Sequence, residues 1–431
     1  MKETERKQIV NLLKREVVPA IGCTEPIAVA LCVAKATELL EIKPEKINAL
    51  LSANILKNAM GVGIPGTGGM IGLPIAIALG SIVGKSKYEL EVLRDCTPEA
   101  VAEGKKLIKT DAIEIGLKKD ISEKLYIEIT CSGNGHKATA VIAGGHTNFV
   151  FLEKDGKTLL DKRTPAGVET ADNSDEVELN FKKIYDFATT APLEEINFIL
   201  KARDLNKHAA EESFKGNFGH RLGKILMESN EENHVLGKNI FQRVISYTSA
   251  ACDARMAGAM IPVMSNSGSG NQGITATLPV VIFAEDKGKS EEELVRALTL
   301  SHLTAIYIKQ SLGRLSALCG CVVASTGSCC GITYLMGGTY EQCTYAVKNM
   351  VANITGMICD GAKPSCSLKV SSGVSTCLLS AILALDNETV KSVEGIVDDS
   401  VDQSIRNMTR IGREGMNETD RLVLDIMTNK K

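Results

Sequence analysis

At 431 residues the chain is long enough for a large core and for two or three domains. Hydrophobic residues make up 44% and charged residues 23%, the balance of an ordinary soluble protein, and with 4% aromatics and no Trp its core must be built from Ala, Val, Ile, Leu and Met. A net charge of −3, with no dense Lys/Arg stripe interleaved with aromatics, excludes a nucleic-acid footprint.

Residues 1–43 read as helical. The opening MKETERKQIVNLLKREVV is charged and amphipathic, with no apolar run or cleavage site of a signal peptide. A Gly-Cys-Thr-Glu-Pro break leads into PIAVALCVAKATELL, apolar nearly all round and therefore a buried helix, with Thr24 as N-cap and Pro26 in the first turn. Residues 47–57 are a candidate strand, and GVGIPGTGGMIG then opens a second buried helix, LPIAIALGSIV. The uncharged runs 58–84 and 315–340 carry too much Gly, Ser and Thr for lipid-facing helices and read as buried helix plus loop, so the protein is expected in the cytoplasm with no membrane partner.

Between about 90 and 190 the texture changes to short β-rich segments (IEIGLK, KLYIEITCSG, HKATAVIAGG, TNFVFLEKDG) separated by turn signals such as GNG and KDG. Helical patterns return near 190 and continue to the end. The expected fold class is α+β: a helical body formed by 1–90 and 190–431, with a small antiparallel β-rich domain inserted at 91–189.

Thirteen cysteines are many for a cytoplasmic chain, and eight of them (319, 321, 329, 330, 343, 359, 366 and 377) fall within 59 residues. Their odd number and a reducing compartment argue against a disulfide framework, and their density argues for a metal centre using some of them. Cys359 and Cys366 stand in ICDGAKPSCSLK, where Gly361 and Pro364 prevent a regular helix, so one loop presents two thiols. Cys319 or Cys321 of the LCGC segment can complete a three-thiolate set, which on a four-iron cluster leaves one iron open as a Lewis acid. Cys329, Cys330 and Cys343 read as packing residues.

The stretch SNSGSGNQGI (265–274) exposes backbone N–H groups and short polar side chains, a nest suited to a carboxylate. Asn271 and Gln272 are candidates for holding an amino-acid head group, a tight structural turn being the alternative. Asn58, ahead of GIPGTGG, is a further candidate; that glycine loop is neither a P-loop nor a dinucleotide fingerprint. The histidines lack metal spacing, and His146 in GGHTN reads as a surface-turn residue. No lysine sits in an obvious pyridoxal-phosphate context. Asp253 and Arg255 in CDARM have no derivable role.

Together, GCTEP, SNSGSGNQGI, LCGC and CDGAKPSC resemble the L-cysteine desulfidase family, which includes the UPF0597 proteins and is related to the iron–sulfur L-serine dehydratases. The resemblance runs from Cys23 to past Cys377. It implies an oxygen-labile [4Fe-4S] cluster held by three cysteines, without pyridoxal phosphate, and a small amino-acid substrate. Its later two ligands match Cys359 and Cys366; spacing favours Cys319 as the first, while likeness to the serine dehydratases favours Cys321. It also makes Cys23 the catalytic base, and the helix N-terminus beside that thiol is expected to lower its pKa. The implied reaction is β-elimination of L-cysteine to pyruvate, ammonia and hydrogen sulfide, with L-serine dehydration or a non-catalytic iron–sulfur redox sensor as alternatives. A homo-oligomer is compatible with this reading.

Overall fold

The structure is a computed structural model that describes residues 1–119, 121, 123–163, 177–228, 237–313 and 316–430. Part of the expected insert, 164–176, therefore lies outside the described residues. In chain order, α1 (Glu3–Glu16) and the short strand β1 (Pro19–Ile21) lead into α2 (Thr24–Leu40), β2 (Lys46–Leu51), α3 (Ala53–Ala59), α4 (Leu73–Ile82) and α5 (Pro98–Ile108). Five strands follow: β3 (Ile113–Leu117), β4 (Tyr126–Gly133), β5 (His136–Ala143), β6 (Phe149–Lys154) and β7 (Lys157–Asp161). Next come α6 (Phe181–Thr190), α7 (Leu193–Ile196), α8 (Leu200–Lys215), α9 (Leu222–Glu228), α10 (Ile240–Met256) and the short β8 (Pro262–Met264). The C-terminal part comprises α11 (Gly270–Asp286), α12 (Glu291–Leu312), α13 (Gly320–Leu335), α14 (Tyr340–Ile354), α15 (Cys366–Leu385), α16 (Val401–Arg410) and α17 (Asn417–Thr428).

The α+β class holds. Strand β4 alternates in burial along YIEITCSG, turning Ile127, Ile129 and Cys131 inward, as period-two geometry requires. Hairpins close at Asn134-Gly135 and Asp155-Gly156, where all four residues have positive φ, the geometry that Asn-Gly and Asp-Gly tolerate. The sheet runs β3-β2-β4-β5-β6-β7. It is mixed and not purely antiparallel as expected, because β2 pairs parallel with β3, Ile47 against Ile113. The connection between those two strands contains α3, α4 and α5, long enough for the crossover a parallel pair needs.

Apolar packing is shared out differently from the expected division at residue 90. One core draws on α2, β2, α4, α5 and the strands, from Ile27 to Ile142. The other joins α1 to the helices from α6 onward, from Ile9 to Met408. The reason is that α2, apolar nearly all round, lies against β4 and β5 on one side and α4 on another, so it belongs with the sheet. In the helical core α13 is central. Its Gly327 and Gly331 let it approach α12 so closely that a Cβ would stand 2.3 Å from the Ser301 carbonyl oxygen and 2.8 Å from that of Ala297. That explains the Gly/Ser/Cys texture of 315–340.

Among the described residues, α15 is long and apolar enough to cross a membrane by length and composition, with mean hydropathy 1.7; half of that window is buried inside the protein, against α10, α13 and α14. The two-stranded pairing of β1 with β8, Pro19 opposite Met264, places the Gly22-Cys23 break beside the 265–270 loop. That loop is fastened further by Ser265 N–H to the Val18 carbonyl (2.8 Å) and Ser267 N–H to that of Glu16 (2.9 Å).

Candidate active site

Four long helices begin at one pocket of about 120 Å³. The first residues or N-caps of α2 (Cys23, Thr24), α11 (Ser269), α13 (Cys319, Gly320) and α15 (Cys366) all line it. Each helix start carries unpartnered N–H groups and partial positive charge, so the pocket favours anions before any side chain is counted. Arg255, Lys309 and Lys369 also line it and add cationic side chains. Every candidate residue from the sequence is present: Cys23, Asn58, Asn271, Gln272, Cys319, Cys321, Cys359 and Cys366.

An isolated antiparallel bridge between Leu318 and Ile358 sets the thiol-bearing segments side by side. Cys319 N–H donates to the Met357 carbonyl at 3.0 Å, and Cys359 N–H returns a bond to Ala317 at 2.6 Å. Cys366 opens α15 seven residues on. The thiols feel one another: Cys319 raises the pKa of both Cys359 and Cys366, after burial, the largest cause in each; Cys366 is pushed up to about 11. Cys319 itself is pushed well up by its hydrogen bond with Cys321 and by burial.

Cys321 lines the pocket beside Cys319, but its thiol is already engaged. Its thiol donates to the Lys369 carbonyl at 2.9 Å, and a Cβ on Gly373 would stand 2.6 Å from its sulfur, so it is packed into the first turns of α15. Cys329, Cys330 and Cys343 are fully enclosed in the helical core. A fifth neighbouring thiol, Cys252 of α10, is buried within electrostatic reach of Cys366 and Cys319 but does not line the pocket.

Three soft thiols that line one pocket and raise one another's pKa fit a multinuclear iron–sulfur group, whose positive iron would relieve that repulsion and deprotonate them. Among the described residues no group of three His, Cys, Asp or Glu side chains is tight enough for a single metal ion. Thiolates around a four-iron cube stand farther apart than ligands on one ion.

Across the pocket Glu25 organises a second cluster. Its Oε2 accepts the Cys23 thiol at 2.9 Å and lies 3.1 Å from Thr24 Oγ1, while Oε1 accepts from Asn58 Nδ2 at 3.2 Å. Burial raises the Glu25 pKa, but attraction to the His146 imidazole when it is protonated, the Cys23 bond and Arg255 outweigh it and hold the carboxyl below its usual range. Cys23 departs from expectation. It is the N-cap of α2 in place of Thr24, yet burial first and the Glu25 charge second push its pKa well above 9, overriding the helix N-terminus and Arg255. As folded, Cys23 is a protonated donor.

On the third side, Ser269 caps α11 through Gln272 N–H (3.4 Å), and Gln272 Nε2 donates to the Asn266 carbonyl (3.0 Å), leaving its Oε1 without a partner. Asn271 Oδ1 is likewise unpartnered. Beneath them Arg255 donates through Nε to the Gly22 carbonyl at 3.0 Å, and a Cβ on Gly270 would be 2.2 Å from that Nε, so a side chain there would displace the guanidinium from Gly22. Gly273 is as constrained: its Cβ would stand 1.9 Å from the Met264 carbonyl oxygen. Gly273→Ala is therefore expected to destabilise the protein by about 1–3 kcal/mol or more, as overpacking does. Thermal denaturation checks this; an unchanged midpoint would show that α11 can shift freely.

Sequence reasoning did not assign Glu25, His146, Arg255, Lys309 or Lys369 to the site. His146 reaches it from the β5–β6 turn and is not the surface residue its sequence suggests, because a Gly-Gly-His turn has the same composition over a pocket as in solvent. Glu25 lies within the GCTEP motif, and a carboxylate in the first turn of a largely apolar helix is the signal for it.

The family model of the serine dehydratase alpha chain matches residues 87–425, which supports a lyase-like function related to the iron–sulfur serine dehydratases. A UPF0597 protein of Phocaeicola vulgatus is 72% identical over 427 residues, covering 99% of this chain and 98% of its own. One of Bacteroides fragilis is 69% identical over 430 residues and one of Oleidesulfovibrio alaskensis 45% over 435, each covering 100% of both chains. The chain belongs to the UPF0597 family, related to the iron–sulfur serine dehydratases.

Proposed function

We propose that the protein is a cytoplasmic [4Fe-4S]-dependent lyase that eliminates the β-substituent of a small amino acid, L-cysteine before L-serine. The observation that carries this is the meeting of three thiols, a Glu25–Cys23–His146 cluster and an anion-favouring loop around one pocket. Cys319, Cys359 and Cys366 would hold the cluster, Cys321 being engaged with Lys369. With three protein thiolates it would supply an open iron, a Lewis acid toward the departing sulfur. A four-thiolate electron carrier would have no use for the neighbouring base cluster and loop, which speaks against a redox sensor.

The chain's own residues do the rest. The start of α11 and Arg255 receive the substrate carboxylate, and the free amide oxygens of Asn271 and Gln272 suit its ammonium. The Cα proton goes to His146 in its neutral form, and the imidazolium so formed is stabilised by the nearby Glu25 carboxylate; Cys23, a protonated donor to Glu25, is better placed to hold that carboxylate than to act as base. The Cβ–S bonding electrons leave with sulfide. The resulting aminoacrylate tautomerises to the imine, which water hydrolyses to pyruvate and ammonia. All thirteen cysteines are free, in keeping with a reducing compartment.

The name of the matching family favours serine as a second reading, in which the same step releases hydroxide. Anaerobic protein reconstituted with iron and sulfide should release sulfide from L-cysteine with a higher kcat/KM than it forms pyruvate from L-serine. The reverse order would make it a serine dehydratase, and turnover of neither would sink the lyase reading.

A further inference from the structure

The loop carrying Cys359 rests on a charged pair that the pocket chemistry does not use. Lys57 of α3 is 1% exposed; its ammonium donates to the Cys359 carbonyl oxygen at 3.3 Å and forms an ion pair with Asp420 of α17. The loop lies directly on α3: Gly361 has φ +89°, and a Cβ there would be 2.3 Å from the Lys57 carbonyl oxygen. On its other side Lys369 donates to the Ile358 carbonyl at 2.6 Å and pairs with Asp360, which Lys363 also meets.

Burying an ammonium is costly, and Asp420 offsets that cost only by bringing the C-terminal helix over α3. An apolar side chain would fill the same space more simply. What the ammonium adds is a donor aimed at the main-chain oxygen of a thiol-bearing residue. Fixing that peptide fixes the direction of the Cys359 side chain, as outer hydrogen bonds fix metal ligands elsewhere.

We propose that Lys57 is a positioning residue for Cys359, held in place from the C-terminal helix by Asp420, so that the last helix of the chain secures the iron-binding loop. This rests on the reading of Cys359 as a cluster ligand. The test uses full-length protein reconstituted anaerobically with iron and sulfide, then challenged with a chelator while the visible absorption is followed. Lys57→Met should lose iron about 10–100-fold faster than the unaltered protein, the usual effect of removing an outer partner of a metal ligand. Lys57→Arg should recover part of the loss.

Lys57→Met leaves Asp420 unpaired and so weakens the fold for a second reason. The pair Lys57→Met/Asp420→Leu removes both charges: its cluster-free melting temperature should return toward that of the unaltered protein while its iron loss stays fast. Chelator resistance equal to the unaltered protein in this double variant would overturn the proposal and leave the pair a packing feature. Failure of the unaltered protein to take up iron would overturn the cluster reading itself, and this inference with it.

Discussion

Cys359→Ala protein, purified and reconstituted without oxygen, is expected to be colourless and inactive, and Cys366→Ala and Cys319→Ala the same. Each of these thiols raises the pKa of a neighbour or has its own raised by one, the electrostatic signature of sulfurs that share a space. A methyl group cannot replace a soft thiolate on iron, and two remaining thiolates would leave two irons open to solvent. Cys321→Ala makes the contrast. Its sulfur is turned to the Lys369 carbonyl, so alanine should cost about 1 kcal/mol for the lost hydrogen bond and leave the iron in place. Iron and sulfide analysis together with the visible spectrum decides the matter. Full iron in Cys319→Ala with loss in Cys321→Ala would exchange their roles.

The second large effect concerns the proton. His146→Asn should keep its cluster, because the turn that carries it is not part of the thiol-bearing segments, while turnover falls about 10²–10⁴-fold, the range for removing a positioned general base. Cys23→Ala should also keep its iron, but lose only about ten- to a hundredfold, the worth of a hydrogen bond to a charged group. The difference follows from protonation. At neutral pH the Cys23 thiol, pushed well above 9 by burial and by Glu25, carries its proton and cannot take another. Single-turnover rates measured beside iron content separate the cases. A larger fall in Cys23→Ala than in His146→Asn would restore Cys23 as the base and make His146 a support for Glu25.

Much of the architecture is written in local pattern. The nearly all-round apolar surface of PIAVALCVAKATELL calls for burial, and α2 packs between sheet and helices with only its C-terminal end, at Glu38, exposed. Asn134-Gly135 and Asp155-Gly156 announce hairpins because few other residues accept positive φ in succession. Gly361 and Pro364 break the helix between Cys359 and Cys366, and that loop is where the structure has it. These signals depend on residues within a few positions of one another, which is why a sequence alone can hold them.

The parallel pairing of β2 with β3 has no such signal, since both strands alternate equally well in either direction and the crossover through α3 to α5 selects one. Cys319 and Cys321 differ in sequence by two positions and in chemistry not at all. Both line the pocket, and the direction in which α13 starts, set beside the Leu318–Ile358 bridge and the packing of Gly373, commits the Cys321 thiol to the Lys369 carbonyl while Cys319 acts electrostatically on Cys359 and Cys366. The same holds for acid–base character. A helix N-terminus lowers a thiol's pKa when water remains; at Cys23 tertiary burial and the adjacent Glu25 carboxylate reverse the sign. His146 gained its place only when β5 and β6 carried a glycine turn across to α2. The sequence by itself determined which residue types could do the chemistry; which of them face one another was decided by long-range packing, because distance and desolvation are properties of the folded chain alone.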